Sequence, residues 1–119
     1  MRAYELMIIF DGDVEDANVT EALGRVGQQV EAGPGRVATT DLWGRRRFAY
    51  EINHKVEGIY VVLEIVTEAT DLDDVERSLR LADEVVRHKL IRLPDREAAK
   101  RGLVEGTTPA DAAAAPAES

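Results

Sequence analysis

Three consecutive arginines lie between aromatic residues in the stretch Leu42-Trp43-Gly44-Arg45-Arg46-Arg47-Phe48-Ala49-Tyr50-Glu51-Ile52. An arginine fork matches phosphate oxygens two at a time, and its flat face stacks on bases. Such a run beside aromatics therefore suits an RNA backbone and its unpaired bases. It equally suits a solvated edge strand that uses charge to keep other strands away. Residue chemistry leaves both readings open. Because strand residues alternate, Arg45 and Arg47 are expected on the open face of a sheet and Arg46 on the side of Phe48, Tyr50 and Ile52, unless a bulge at Gly44 shifts the register. Trp43 is expected to anchor packing. A second basic cluster, Arg87, Lys89, Arg92 and Arg96, follows Glu84 and meets only Asp95.

Other chemistry is poorly supplied. Cysteine is absent and histidine is limited to His54 and His88, which excludes disulfides, a thiolate nucleophile and a cysteine-type zinc site. The two histidines stand far apart with no evident nucleophile, so a hydrolytic triad is not expected and no cofactor is implied. Gly33-Pro34-Gly35 lacks the lysine and hydroxyl residue of a phosphate loop and reads as a turn. Asp71, Asp73, Asp74 and Glu76 lack the spacing of a calcium loop and read as helix-capping acids.

The chain carries 23 acidic and 15 basic residues in 119, a formal charge of -8, which opposes long-range attraction to a polyanion. Its distribution matters more than its sum. Between Asp11 and Glu31 six acids face Arg25 alone, whereas the two arginine-rich stretches are basic islands. No apolar run approaches the roughly 18 residues of a membrane span, and Met1-Arg2-Ala3-Tyr4-Glu5 does not resemble an export signal, so a cytoplasmic protein is expected. The sequon Asn18-Val19-Thr20 is then accidental.

The elements that must hold these residues follow from periodicity. Arg2 to Phe10 is rich in β-formers and stops at Asp11-Gly12-Asp13, which predicts a strand. Asp13 is expected to cap a helix whose face is Val19, Leu23, Val26 and Val30, ending at Gly33-Pro34-Gly35. Arg36 to Ile52 and Gly58 to Thr67 predict two strands joined by a hairpin over Asn53 to Glu57. Asp71 is expected to cap a second helix with Leu72, Val75, Leu79 and Ala82 buried, and Val85 to Leu93 to form the last strand. The order β-α-β-β-α-β predicts an α+β ferredoxin-like fold, a four-stranded antiparallel sheet with both helices on one face. Leu6, Ile8 and Phe10 should face the helices, leaving Glu5, Met7, Ile9, Tyr60, Val62 and Glu64 on an open face that is only half polar. One domain over residues 1–94 is expected, followed by a disordered Ala/Pro-rich tail over 95–119 in which Asp95 to Gly102 could extend as a short charged helix.

Gly44-Arg45-Arg46-Arg47-Phe48-Ala49-Tyr50-Glu51-Ile52 resembles the signature of the bacterial small-subunit ribosomal protein six family. Three further landmarks agree in order and spacing: the start Met1-Arg2-Ala3-Tyr4-Glu5, the run Glu57-Gly58-Ile59-Tyr60, and Leu79-Arg80-Leu81-Ala82-Asp83-Glu84-Val85-Val86-Arg87. The likeness spans residues 1 to about 93. It departs at Phe48, where the family commonly has leucine, and at Asn53-His54-Lys55. The resemblance implies a non-catalytic protein of the small ribosomal subunit that binds central-domain (16S) ribosomal RNA cooperatively with ribosomal protein eighteen. A basic sister protein would offset the acidic charge of this chain. Carried onto matching positions, it implies RNA or partner contact by Arg2, Tyr4, Arg45, Arg46, Arg47, Tyr50, Tyr60, Arg87, Lys89 and Arg92. For Tyr4 and Tyr50 core packing with the hydroxyl at the rim competes, and for Arg87, Lys89 and Arg92 a solvated edge.

Two other readings suit the same fold: a small-molecule-binding or dimerisation module that pairs through its open sheet, and an enzyme. The arginine run favours a phosphate backbone, and the lack of a convergent His/Asp/Glu set disfavours catalysis.

Overall fold

Arg2–Asp11 alternates core-facing and outward side chains and forms the first strand, β1, next to the middle of the sheet. The computed structural model of the chain describes residues 2–52, 55–69 and 72–103. In these, β1 is followed by α1 (Asp16–Ala32), β2 (Gly35–Ile52), β3 (Lys55–Thr67), α2 (Asp73–Leu81), β4 (Val85–Leu93) and α3 (Asp95–Lys100). The strands make one sheet in the order β2-β3-β1-β4, every neighbouring pair antiparallel. The first six elements are the β-α-β-β-α-β sequence expected of the ferredoxin-like fold.

Period-two alternation builds the core. Leu6, Ile8 and Phe10 of β1 and Val61, Leu63 and Ile65 of β3 are buried against Val19, Ala22, Val26 and Val30 of α1 and Val75 and Leu79 of α2. Truncating Leu6, which is 0% exposed, to alanine would cost about 2–5 kcal/mol. Tyr4 lies on the same row and is only 5% exposed. It packs in the core, the alternative that stood beside RNA or partner contact for this residue.

The helix starts differ from expectation. Asp13 does not cap α1; its N–H donates to Asp11 Oδ1 at 3.0 Å and the Val14 N–H to the Asp11 carbonyl at 3.0 Å. This Asx-type turn carries the chain to an extended Glu15, so the helix starts at Asp16. The expected cap at Asp71, the hairpin tip at Asn53-His54 and the residues from 104 to 119 lie outside the described residues. In α2 the acids Asp73, Asp74 and Glu76 occupy the first turn, where the positive helix end favours them.

Asp95–Lys100 forms the short charged helix allowed for at the head of the tail, but residues 95–103 are packed on the domain rather than disordered, which corrects the boundary at 94. After Leu93 the chain turns through Pro94 into α3 and packs onto the open face. Ala98 and Leu103 are buried there with Ala3, Val66 and Leu93. Arg101 fixes this strap, its Nε 2.7 Å from Glu97 Oε2 and its Nη1 2.9 Å from Glu64 Oε2 and 3.1 Å from Glu5 Oε1. The physical reason is that Ala98 and Leu103 bury apolar surface on the sheet while the cation meets carboxylates that would otherwise repel each other. One half of the face is covered and the other half remains open.

Candidate nucleic-acid interface

A bulge decides where the arginines point. Leu42 pairs with Val61 and Gly44 with Tyr60, so Trp43 is the extra residue of β2. Gly44 takes φ +91, a left-handed conformation that glycine adopts without steric cost. Beyond the bulge Arg45 stands opposite Ile59, Arg46 opposite Gly58 and Arg47 opposite Glu57. Ile59 belongs to the helix-facing row and Tyr60 to the open row. Arg46 therefore projects to the open face, on the side of Phe48, Tyr50 and Ile52 as expected, and Arg45 and Arg47 point to the other side; which of the two faces each takes is reversed by the bulge allowed for at Gly44.

Arg45 and Arg46 then have distinct roles. Arg45 Nε and Nη2 donate to the Gly12 carbonyl at 3.0 and 2.7 Å, with Glu57 Oε1 3.9 Å from Nε. It ties the β2–β3 hairpin to the turn between β1 and α1. Beside it Lys55 Nζ lies 2.9 Å from Asp11 Oδ2, and that hydrogen bond holds the Asp11 carboxyl below its ordinary range. Arg46 lies over the Trp43 ring, 5.4 Å from its centroid. The Trp43 ring is parallel to Tyr60 within 6° at 6.3 Å between centroids, and Phe48 meets Tyr60 edge-on at 6.2 Å. Trp43 is 42% exposed and its Nε1 donates to Asp41 Oδ2 at 2.9 Å, so it belongs to the surface rather than to packing in the core.

β4 supplies the other cations. Arg87 and Lys89 stand opposite Ile9 and Met7 of β1 and share their open face, exposed and without an ion pair among the described residues. Arg92, opposite the core residue Tyr4, points to the other side and lies 3.7 Å from Asp95 Oδ1. Between Phe48, Tyr50 and Tyr60 on one side and Arg87 and Lys89 on the other runs a groove of about 580 Å³ over Met7 and Ile9.

Of the ten residues singled out from the sequence, the fold brings Arg46, Tyr50, Tyr60, Arg87 and Lys89 to one half-face. Arg45, Arg47 and Arg92 point to the other side, Tyr4 is core, and Arg2 sits at the strand end, donating to the Glu68 carbonyl at 3.2 Å. Arg101 was missed. The available signal was Ala98-Ala99 and Leu103 on either side of Arg101, a small apolar patch within an otherwise polar run.

The family model described as "Ribosomal protein S6" matches residues 3–92. A curated relative from Acidothermus cellulolyticus, "Small ribosomal subunit protein bS6", is 43% identical over 95 residues, covering 80% of this chain and 98% of its own. The protein of that description from Salinispora arenicola is 42% identical over 92 residues, 77% of this chain and 96% of its own. Among solved structures, the 30S ribosomal protein S6 of Thermotoga maritima superposes with a TM-score of 0.76 at 29% identity, over 85% of this chain and 95% of that one.

Proposed function

The chain belongs to the ribosomal protein S6 family, and from that premise we propose that it is a structural constituent of the small ribosomal subunit which binds central-domain ribosomal RNA jointly with ribosomal protein eighteen. The observation that carries the RNA half of this reading is the open half-face, where Arg46, Arg87 and Lys89 flank Tyr60 on a chain that is otherwise acidic. Phosphate contacts there gain affinity through counterion release, and the exposed aromatics suit unpaired bases. The net charge of -8 supports the joint mode, because a basic partner would lower the repulsion that this chain alone presents to RNA.

Ultraviolet crosslinking within isolated small subunits tests the proposal. Crosslinks from the Trp43–Tyr60 half-face to central-domain RNA, and from this chain to protein eighteen, are the expected result. Recovery of the chain free of the subunit, or crosslinked to another RNA domain, would overturn it.

A further inference from the structure

A groove runs between the hairpin and β4. It has two unlike sides. Phe48 and Tyr60 pack edge to face, and Tyr50, 74% exposed, extends that aromatic side into solvent. Arg87 and Lys89 lie across Met7 and Ile9 on the other, with their charges uncompensated among the described residues. The volume of about 580 Å³ lies within the range of small-molecule sites. The rest of the open face lacks this pairing of chemistries, because the strap from Pro94 to Leu103 covers it and Arg101 occupies Glu5 and Glu64.

We infer that this groove takes one unpaired nucleotide, its base stacked against Tyr50 and Tyr60 and its phosphate held by Arg87 and Lys89. A planar ring carrying an anion a few ångströms away is the ligand that matches an aromatic side facing a cationic one. Stacking on tyrosine tolerates any base, so the groove selects for an unstacked nucleotide rather than for a sequence. Arg46, held over Trp43 on the far side of Tyr60, is placed to meet the neighbouring phosphate. An acidic peptide would satisfy Arg87 and Lys89 but would leave the aromatic side without a planar partner, which favours the nucleotide. This inference rests on the RNA-binding reading above and adds to it a subsite and the state of the nucleotide it holds.

The test has two arms on the intact chain. In the first, adenosine 5′-monophosphate and ribose 5-phosphate are titrated separately while backbone amide resonances are followed. The nucleotide should shift Tyr50, Tyr60, Arg87 and Lys89, with ribose 5-phosphate binding at least about fivefold more weakly for want of a base to stack. Equal binding of the two, or shifts elsewhere, would overturn the subsite. In the second arm, Tyr50→Ala, Tyr50→Phe and the pair Arg87→Gln/Lys89→Gln are measured for binding to central-domain RNA with protein eighteen present. Tyr50→Ala and the double variant should each weaken binding by about fivefold or more, and Tyr50→Phe should retain it. Unchanged RNA affinity in Tyr50→Ala and the double variant refutes the nucleotide subsite while leaving the RNA-binding function intact. Unchanged RNA affinity together with lost association with protein eighteen would show that the groove holds protein. Failure of the wild-type chain to join the RNA in the presence of protein eighteen would refute the function itself.

Discussion

Glu5 and Glu64 stand directly opposite one another in the β1–β3 ladder, and both accept from the guanidinium of Arg101. Like charges opposed across a ladder destabilise a sheet, so the strap supplies the cation that this pair requires. Arg101→Gln should lower stability by about 1–2 kcal/mol and speed amide exchange at Ala98, Ala99 and Leu103. Adding Glu64→Gln to that variant should recover part of the loss in a denaturant titration. A double variant no better than Arg101→Gln alone would mean that the strap is held by its apolar contacts.

The neighbouring Arg45 and Arg46 should separate in their effects. Arg46→Gln should weaken RNA binding and reduce the slope of log affinity against log salt by about one unit, the signature of one lost phosphate contact, with the denaturation midpoint unchanged. Arg45→Gln should leave that slope alone and cost about 1 kcal/mol of stability, since the Gly12 carbonyl loses its donors. Identical behaviour of the two variants would contradict the register set by the Trp43 bulge.

Gly58 permits the close packing of the hairpin over β1. A Cβ there would meet Ile9 Cγ2 and the Phe10 carbonyl at 2.7 Å and Phe48 Cζ at 2.8 Å. The carbonyl belongs to the ladder and cannot yield, so Gly58→Ala should cost about 1–3 kcal/mol, read from the midpoint of urea denaturation. It should also disturb the aromatic side of the groove through Phe48.

Acid should act through two carboxyls. A hydrogen bond from Lys55 holds Asp11 below its ordinary value, and one from Arg101 does the same for Glu97. Each group is ionised more readily in the folded chain than in the unfolded one. Its stabilisation is therefore complete above the ordinary carboxylate value of about 4, and it fades as pH falls through the lowered folded value. Asp11→Asn should flatten the acid limb of a thermal-stability profile, and Glu97→Gln should do so for amide exchange in the strap.

The element order and the helix-facing side of the sheet were legible in the sequence because alternation in β1 and the four-three-four spacing of Val19, Leu23, Val26 and Val30 are local patterns. The faces of the arginines were not. A bulge inverts every later position, and whether Gly44 only bends the strand or accommodates an extra residue depends on pairing with β3, a contact between distant segments. The fate of Tyr4 followed from β1 alternation, since it shares the row of Leu6 and Ile8. The strap was read as tail because its buried side chains are mostly alanine, whose apolar signal is faint next to Asp95, Arg96, Glu97 and Lys100. Its anchor, the Glu5–Glu64 pair, exists only once β1 and β3 have paired. Among the site residues, likeness to the family supplied the candidates, and the geometry sorts them into a set on the open half-face and a set that lies elsewhere.

Joint binding is tested most directly by the affinity of this chain for a central-domain ribosomal RNA fragment, taken at several salt concentrations with and without protein eighteen. Binding by the chain alone should be negligible and binding with its partner tight, and the salt slope should fall when Arg46, Arg87 or Lys89 is neutralised. Equal affinity with and without protein eighteen, or no binding in its presence, would contradict it.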